Sequence, residues 1–476
     1  MSKNRAKYLF KNTAIFAIAN IASKIITFFL LPLYTYVLLP EQFGVVDLLF
    51  TIATVIIPII SFNIIEAIIR FALDENADNN KIMSIGICMI FSSIILALPV
   101  IPVLNSMKNY AEYSFYFYFY IICAAISDIL LYNLKGQEKL KLFSLGNVLS
   151  TFFIAIFNIL FLVVFKCGIK GYFLANISTR IIIAVYSFFV GRIYMVIKNF
   201  EIDKKLFKNM IKYSFFLIPN SFMWWIINAS DRVMVSAYIG EGANGLYGIS
   251  YKIPNLLTTF TTIFNQAWVF SAIDEKDSTD KKEFTNKIFE NLFFILIFTS
   301  LIILIFLKFL FKILFEEKYF DAWLYVPILL VGYVFLTLAT FLSSSYNVYK
   351  DSRGFLYSST AGAIINVILN FIFIPKIGVI GAAISTTVSY IGVFLYRLVD
   401  TRKYVIVNIN LKLLMEVILL ISSSVLIYLN DKIFIFGTII NIIVICFLNY
   451  KNIKKILNVI IKKIYKKGNI KWKKLK

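Results

Sequence analysis

Six charged side chains lie inside long apolar stretches of the chain, at different depths. They are Lys24, Asp128, Arg180, Asp231, Arg232 and Lys252. A charged side chain at the centre of a membrane-spanning helix costs about 2.5–3.5 kcal/mol on insertion. Such residues persist mainly where they face a cavity or a partner. The cations are therefore candidates for binding an anionic ligand, and the two carboxylates are candidates for binding a proton or a metal cation.

The depths of the cations differ. Lys24 and Arg180 each lie eleven residues into an apolar stretch, near the middle of a membrane. From there, snorkelling does not easily bring the charged group to water. Arg232 and Lys252 lie in the outer third of their stretches, where snorkelling outward is an alternative explanation.

The carboxylates leave a structural interpretation open. Asp128 is placed to neutralise Arg180, and Asp231 is placed to pair with Lys252 or with a cation from the other half of the chain. On a helix, Asp231 points away from its direct neighbour Arg232. The deep charges are then either ligand-binding groups or ion pairs that hold helices together.

Composition excludes a globular cytosolic enzyme and every mechanism that needs an imidazole. The 476 residues are 60% hydrophobic and only 16% charged, whereas soluble domains are about 45–50% apolar and about 25% charged. There is no histidine, and the four cysteines are scattered without a C-x-x-C pair, so neither a zinc site nor a disulfide framework is indicated. We predict a non-enzyme without a cofactor.

The elements that position these charges are membrane helices. A span needs about 20 mostly apolar residues, and fourteen such stretches follow one another, among them residues 45–72 and 246–273. The predicted fold is an all-α polytopic membrane protein of about fourteen transmembrane helices. Lys and Arg are concentrated in alternate connections, which predicts that both termini are cytoplasmic.

Residues 451–476 form a strongly basic C-terminal tail. Its Ile and Leu residues recur at helical spacing beside Lys, the pattern of an amphipathic helix on an anionic leaflet. An RNA-binding tail is the alternative. Because cytoplasmic segments of membrane proteins carry excess Lys and Arg, the net charge of +22 requires no nucleic acid, and none is predicted as a partner.

An internal repeat narrows the architecture. The pattern K-x-G-[IV]-x-G occurs at residues 166–171 and again at 376–381, an offset of 210, and a Gly motif recurs at residues 43–46 and 244–247, an offset of 201. Chance recurrence of short Gly motifs at helix hairpins is the alternative. A six-helix repeat predicts two pseudo-symmetric halves around a cavity. The predicted segments are residues 1–200, 201–403, two extra helices at 404–450, and the tail.

Three stretches resemble the bacterial polysaccharide flippase family of the multidrug/oligosaccharidyl-lipid/polysaccharide (MOP) exporter superfamily. Residues 31–44 read LPLYTYVLLPEQFG. Residues 231–252 begin with DRVMV and end with GLYGISYK. Residues 370–383 read NFIFIPKIGVIGAA. The stretches cover both predicted halves in the right order.

The resemblance implies an exporter that moves polyprenyl-pyrophosphate-linked oligosaccharide across the bacterial plasma membrane by alternating access. Implied partners are this substrate, membrane lipids and a polysaccharide polymerase. Lipid II flippases and cation-coupled multidrug exporters of the same superfamily are the alternatives, and a membrane-embedded glycosyltransferase is a third class. That third class would usually need a larger extramembrane loop than the chain contains.

The resemblance also suggests roles for single residues. Lys24 matches a basic residue that lines the central cavity of related lipid II flippases, and with Arg180, Arg232 and Lys252 it would bind the pyrophosphate. Trp225, opposite Lys24 at an offset of 201, would then offer its indole to a sugar, with simple packing as the alternative.

The coupling ion is left open. Coupling to H⁺ or Na⁺ requires an intramembrane carboxylate, and Asp231 and Asp128 are the deep candidates, each with a counter-ion role as the alternative. Further carboxylates have structural interpretations. Asp47, near the outer mouth, is expected to be solvated, and Glu66 and Glu416 are expected to pair with the basic residues Arg70 and Lys412 on their own helices.

The sequence assigns the central cation of the cavity to Lys24. We expect Lys24→Ala to abolish transfer of a polyprenyl-pyrophosphate-linked oligosaccharide in proteoliposomes while leaving the protein in the membrane, because the pyrophosphate loses its midplane counter-charge. Full activity of a normally expressed variant would contradict this assignment.

Overall fold

The computed structural model describes residues 26–74, 77–215, 217–274, 278–349, 351–450 and 454. Within these ranges the regular secondary structure is entirely helical, which confirms the all-α fold class. The α-helices are α1 Ile26–Val37, α2 Pro40–Ile60, α3 Ile64–Ala72, α4 Asn79–Ala97, α5 Val100–Asn105, α6 Ser114–Gly136, α7 Leu140–Asn158, α8 Gly168–Val190, α9 Ile193–Lys198, α10 Lys204–Phe215, α11 Ile218–Tyr238, α12 Glu241–Ser250, α13 Asn255–Asp274, α14 Lys281–Leu314, α15 Val326–Tyr349, α16 Ser352–Ile377, α17 Val379–Asp400, α18 Leu411–Leu426 and α19 Asp431–Leu448.

Ten helical segments of the described ranges are long and apolar enough to cross a membrane. The chain is therefore a polytopic membrane protein, as its composition predicts. The total of fourteen spans stays a prediction. Lys24 and, apart from residue 454, the basic tail lie outside the described residues.

Two of the predicted spans are interrupted. Between α2 and α3, Phe62 and Asn63 adopt left-handed backbone conformations, with φ of 51° and 50°. The predicted span over residues 246–273 is divided into α12 and α13 by a turn over residues 251–254. Pro254 explains this break, because proline has no N–H to donate and its ring clashes with the carbonyl four residues earlier.

Contacts between helices divide the chain into two compact units. The first comprises Met1–Lys252, Lys312–Ala322 and Ser359–Thr386. In it, α2 packs along α12 and α11, and α6 packs against α8, α3 and α4. Buried apolar side chains such as Ile121 and Phe173 form its core. This unit contains every described residue of the predicted site.

The second unit comprises Ile253–Phe311, Trp323–Ser358 and Thr387–Lys476. In it, α13 packs against α15, and α18 packs against α19 and α15. The two-half division at residues 200 and 403 and the separate segment over residues 404–450 stay predictions.

A capped helix start stabilises the second unit outside its spans. Asp351 precedes α16, and its Oδ1 accepts a hydrogen bond of 3.0 Å from the backbone N–H of Gly354. Tyr404 donates to Oδ2 at 2.8 Å, and the Lys403 ammonium lies 3.0 Å from the same oxygen. The backbone hydrogen bond, followed by these two side chains, lowers the pKa of Asp351 to about 2.

A lowered pKa makes the cap pH-dependent. Asp351 contributes stability above the pKa of an unfolded aspartate, about 4, and this contribution is lost as the pH falls through about 2. We expect Asp351→Asn to lower the melting temperature in detergent by about 2 °C at pH 7. The difference from the unmutated protein should shrink as the pH approaches 2. Asp321→Asn, which removes an exposed carboxylate, is the control, and an equal loss in both variants would contradict the assignment.

Candidate functional site

A fully buried carboxylate on α11 is the centre of the site. Asp231 has no exposed surface. Its Oδ2 accepts hydrogen bonds from the Tyr247 hydroxyl at 2.7 Å and the Thr386 hydroxyl at 3.0 Å, and from the Tyr251 hydroxyl. Its Oδ1 accepts from the backbone N–H of Arg232 at 2.9 Å. Burying an ionised carboxylate is costly unless such donors replace its water.

Two asparagines of α16 extend this polar cluster. Asn366 and Asn370 are both fully buried. The Asn366 Oδ1 accepts from the Ser230 hydroxyl at 2.8 Å and from the Asn370 amide at 2.9 Å, and its own amide lies 3.4 Å from the Thr386 Oγ1. Within the described ranges, the buried Oδ1 of Asn370 has no hydrogen-bond donor. Carboxylate, amide and hydroxyl oxygens are the ligands that hard cations prefer.

The cluster contains one carboxylate. Among the described residues, no group of three or more His, Cys, Asp and Glu side chains lies close enough together to hold a metal ion. A single charge among neutral oxygens suits a proton or a monovalent cation better than a divalent one. In α-helical transporters, such ions bind beside unwound helical segments, and Tyr251 lies in the break between α12 and α13.

Arg232 connects this cluster to α2. Its Nη1 lies 2.9 Å from the Asp47 Oδ2 and donates to the Thr51 hydroxyl at 2.8 Å. Its guanidinium also lies 4.8 Å from the ring centroid of Tyr251, within the range of a cation–π contact. Asp47 is only 8% exposed, so the expectation that it is solvated was wrong. Asp47 is buried because α12 covers the face of α2 that carries it.

Trp225 also contacts α2. Its indole N–H donates to the Thr51 carbonyl at 2.9 Å, and its ring stacks on Phe222 with 6.0 Å between ring centroids and 14° between ring planes. The structure therefore brings Trp225 and Arg232 together at Thr51. The packing interpretation of Trp225 accounts for both of these contacts.

The remaining described candidates lie elsewhere in the same unit. Lys252, in the helix break, has its ammonium 6.0 Å from the ring centroid of Phe43. Arg180 on α8 forms an ion pair of 2.6 Å with Asp128 on α6 and donates to the Ser127 hydroxyl at 3.3 Å. This geometry fits the interpretation in which Arg180 and Asp128 form an ion pair that holds two helices together. Both side chains are about one-quarter exposed.

Two ion pairs were expected within single helices, Glu66 with Arg70 and Glu416 with Lys412. Arg70 contacts Asp74 at 2.5 Å instead of Glu66, so the expected pair was wrong. Asp74 is also one helical turn from Arg70, at the frayed end of α3, where both side chains reach solvent. Glu416 and Lys412 lie 4.0 Å apart, as expected.

Sequence reasoning missed the neutral ligands of Asp231. These donors are Tyr247, Tyr251 and Thr386. Sequence reasoning also missed Asn366 and Asn370, which bond to each other and, through Asn366, to Thr386. A signal was present, because Tyr247 and Tyr251, and likewise Asn366 and Asn370, are spaced four apart in apolar segments and so share one helix face. Uncharged polar residues are common in membrane helices, and spacing alone does not indicate which face meets Asp231.

The comparison with known families decides the identity. Residues 9–273, more than half of the chain, match the family described as polysaccharide biosynthesis protein. The chain belongs to this family. The sequence resemblance to polysaccharide flippases is thereby confirmed at the level of the family, and the match includes Lys24, Asp128, Arg180, Asp231 and Lys252.

Relatives of this polysaccharide biosynthesis family member include membrane proteins of Methanocaldococcus jannaschii. One uncharacterized membrane protein is 23% identical over 426 residues, which is 84% of this chain and 100% of the relative. A second is 25% identical over 304 residues, 60% of this chain and 57% of that protein.

Solved structures show the same fold. A structure of the lipid II flippase MurJ in an inward closed conformation superposes with a TM-score of 0.69 at 17% identity, covering 93% of this chain and 100% of the flippase. An inward-facing multidrug resistance MATE family transporter of the MOP superfamily gives 0.65 at 13% identity, covering 81% and 97%. A MOP superfamily transporter from Pyrococcus furiosus gives 0.59 at 14% identity, covering 83% and 95%. The family member thus has the MOP fold.

The Arg180–Asp128 pair is testable as a unit. Removing one partner leaves the other charge uncompensated, whereas removing both does not. We expect Arg180→Gln and Asp128→Asn each to destabilise the protein, with the double variant more stable than the sum of the single losses by about 1 kcal/mol, measured by unfolding in detergent. The exposed pair Lys170–Glu112, at 2.6 Å, is the control and should show little coupling. Additive losses at Arg180 and Asp128 would contradict the structural pair.

Proposed function

We propose that this protein is a flippase that exports polyprenyl-pyrophosphate-linked oligosaccharide by alternating access, coupled to a monovalent cation at Asp231. Under this proposal it is a transporter and not an enzyme. It acts in the plasma membrane with both termini in the cytoplasm, and it supplies a polysaccharide polymerase on the outer side.

The observation that carries the proposal is the buried Asp231 cluster beside the broken helix α12–α13. A buried carboxylate whose oxygens accept hydrogen bonds from neutral donors on α11, α12, the break after it and α17 is expensive to keep. Such a group is explained by a task that uses its charge. Coupled transport is such a task, because the carboxylate exchanges its hydroxyl donors for a cation or a proton during the cycle.

Binding of a cation would change the hydrogen bonds of the cluster. The hydroxyls of Tyr247 and Tyr251 point their protons at Asp231, and a cation bound to the carboxylate would repel those protons. The hydroxyls then have to turn or move. Because the guanidinium of Arg232 lies over the ring of Tyr251, movement of this ring would reach Asp47 and Thr51 on α2. The cluster can thus connect ion occupancy to the packing of α2 against α11 and α12.

The cations would bind the anionic part of the substrate. A pyrophosphate carries two or more negative charges, which must be compensated if it is to cross the midplane. It would compete with Asp47 for Arg232 and with Asp128 for Arg180, and it would also engage Lys24 and Lys252. Competition of this kind keeps Arg232 and Arg180 paired with carboxylates when no substrate is bound, so that neither guanidinium is left uncompensated in the membrane.

Lipid II flippase and cation-coupled multidrug exporter are the alternative functions. The family match, through its description as polysaccharide biosynthesis protein, supports a lipid-linked saccharide over a drug. The wider superposition on the lipid II flippase, 93% of the chain against 81% on the multidrug transporter, supports the same class. The C-terminal helices α18 and α19, rich in Ile and Leu, would bind the polyprenyl tail.

Transport in proteoliposomes tests the proposal directly. The panel comprises a polyprenyl-pyrophosphate-linked oligosaccharide, lipid II and a cationic drug, each supplied with a Na⁺ gradient, with an H⁺ gradient and with neither. We expect transfer of the oligosaccharide carrier and stimulation by one of the two gradients. Transfer of the drug alone would replace this proposal with the exporter alternative, and transfer of lipid II alone would reassign the substrate.

Asp231→Asn tests the coupling separately. A tenfold ion gradient supplies about 1.4 kcal/mol, so it can raise accumulation by up to about tenfold. We expect the variant to retain transfer but to lose this stimulation, because a neutral amide cannot compensate a bound cation. Asp128→Asn is the matched control, since it removes the other deep carboxylate. Unchanged gradient dependence in Asp231→Asn would exclude Asp231, and loss of dependence in Asp128→Asn would move the coupling role there.

A further inference from the structure

The crossing of α2 and α12 is unusually close. A Cβ added at Gly44 would collide with the backbone carbonyl of Glu241, and one added at Gly245 would collide with the backbone carbonyl of Pro40. The Asn244 amide also donates to the Gly44 carbonyl at 2.9 Å. Glycine allows two helix backbones to approach to this distance, so no space is left between the two helices here.

The contacts at this crossing are reciprocal. Gly44 and Gly245 are separated by 201 residues, and so are Pro40 and Glu241. Gly44 contacts Glu241 and Gly245 contacts Pro40, so the two contacts are equivalent under the offset of 201. The same offset relates Glu41 to Gly242 and Asp47 to Gly248. A Cβ added at Gly242 would lie 3.0 Å from the Glu41 Oε1, and one added at Gly248 would lie 2.8 Å from the Asp47 Cγ.

Reciprocal contacts of this kind are the mark of a two-fold axis, because residue i meets j and j meets i. The axis of the predicted repeat therefore passes between α2 and α12. The carboxylate side chains of α2 lie on the glycine face of α12. This arrangement places Asp47 within reach of Arg232.

Two buried tyrosines form hydrogen bonds beside the crossing, one with each of the two helix junctions. Tyr110, in the connection between α5 and α6, is 5% exposed. Its hydroxyl lies 3.0 Å from the Ser236 hydroxyl and donates to the Glu241 carboxylate. Ser236 also donates to Glu241 at 2.7 Å. A loop of the N-terminal segment is thereby fastened to the junction of α11 and α12.

Tyr319 makes the corresponding contact on the other side. It lies in the 3₁₀ helix Glu317–Tyr325, has no exposed surface, and donates to the Leu38 carbonyl at the junction of α1 and α2 at 3.1 Å. Its ring packs edge-on against Phe43, with 6.1 Å between ring centroids. Tyr319 follows Tyr110 by 209 residues, within the two offsets of the repeat.

The acceptors differ for a local reason. The position equivalent to Glu241 is Pro40, which has no side-chain acceptor, so Tyr319 uses a backbone carbonyl instead. Tyr110 and Tyr319 each lie in the connection after the third helix of one predicted half, and each contacts the junction of the first and second helices of the other half. All of these connections are on the side that the distribution of Lys and Arg predicts to be outside.

We propose that Tyr110 and Tyr319 are a pseudo-symmetric pair of latches that hold the outer end of the α2–α12 crossing closed, and that both open for the outward-facing state. The crossing itself has little side-chain area to separate, because glycines line it. Two tyrosine hydroxyls bound to oxygen acceptors can exchange these partners for water, so the closure is stable but reversible. The proposal needs only that the crossing opens, and it is independent of which substrate is carried.

Distances between spin labels measure the closure without a transport assay. The native Cys167 is exposed and lies in an outer connection. Its counterpart at an offset of 210 is Ile377, which is 48% exposed. Labels are attached to Cys167 and to Ile377→Cys in a background in which the other three cysteines are replaced. Neither label touches a latch.

We expect Tyr110→Phe and Tyr319→Phe each to raise the ratio of the long-distance to the short-distance population by about fivefold, and the double variant by about 25-fold. Tyr118→Phe is the matched control, since its hydroxyl donates to the Ile94 carbonyl at 3.3 Å, within the same predicted half. It should leave the ratio unchanged.

A second set of variants keeps the test decisive if the closed state is strongly dominant. Gly44→Ala and Gly245→Ala should each wedge the crossing open to a similar extent, whereas Gly86→Ala, whose Cβ would meet only side-chain atoms, should not. The latch variants are then repeated in the Gly245→Ala background. The proposal is overturned if either latch variant behaves as Tyr118→Phe does there, or if neither glycine variant lengthens the distance. Size-exclusion profiles verify that each variant is folded.

Discussion

The carboxylate of Asp231 has no exposed surface, and an ionised group that leaves water must be solvated by other groups or become neutral. This constraint organises the surrounding part of the first unit. It requires that the break between α12 and α13 bring the Tyr251 hydroxyl within reach, that Tyr247 lie one turn earlier on the same face, and that α17 contribute Thr386. The asparagines of α16 complete the polar shell. Three segments of the chain, α12, the break after it and α17, thereby contribute side-chain donors to one carboxylate.

The same need for charge compensation applies to the cations. Arg232 and Arg180 each have a carboxylate partner from a different helix, so neither carries an uncompensated charge in the membrane. An anionic substrate would enter as a competitor of Asp47 and Asp128, and its binding would release contacts between helices. Under the proposed function, substrate recognition and helix movement are therefore two consequences of one exchange of partners.

Glycine and proline determine how closely the elements approach and where they break. Gly44 and Gly245 allow the backbones of α2 and α12 to touch, and this close approach is what buries Asp47. Pro254 ends the helical hydrogen bonding that would otherwise continue from α12 into α13. In both cases the absence of an atom or a group, a Cβ in one and an N–H in the other, creates the geometry that the polar residues use.

The sequence by itself determined the class of the protein and its helical character, and it predicted the depth of the charged residues and the offset of the repeat. These follow from local quantities, namely the length and apolarity of a stretch, the spacing of similar motifs and the cost of charge in a membrane. Only the tertiary structure decided which groups meet. The partner of Arg232 lies on α2, and the donors to Asp231 come from α12, the break after it and α17, because pairing depends on how each helix is rotated and in what register it packs. Asp47 shows the difference. Its position near the outer mouth predicted a solvated side chain, but the close packing of α12 buries it.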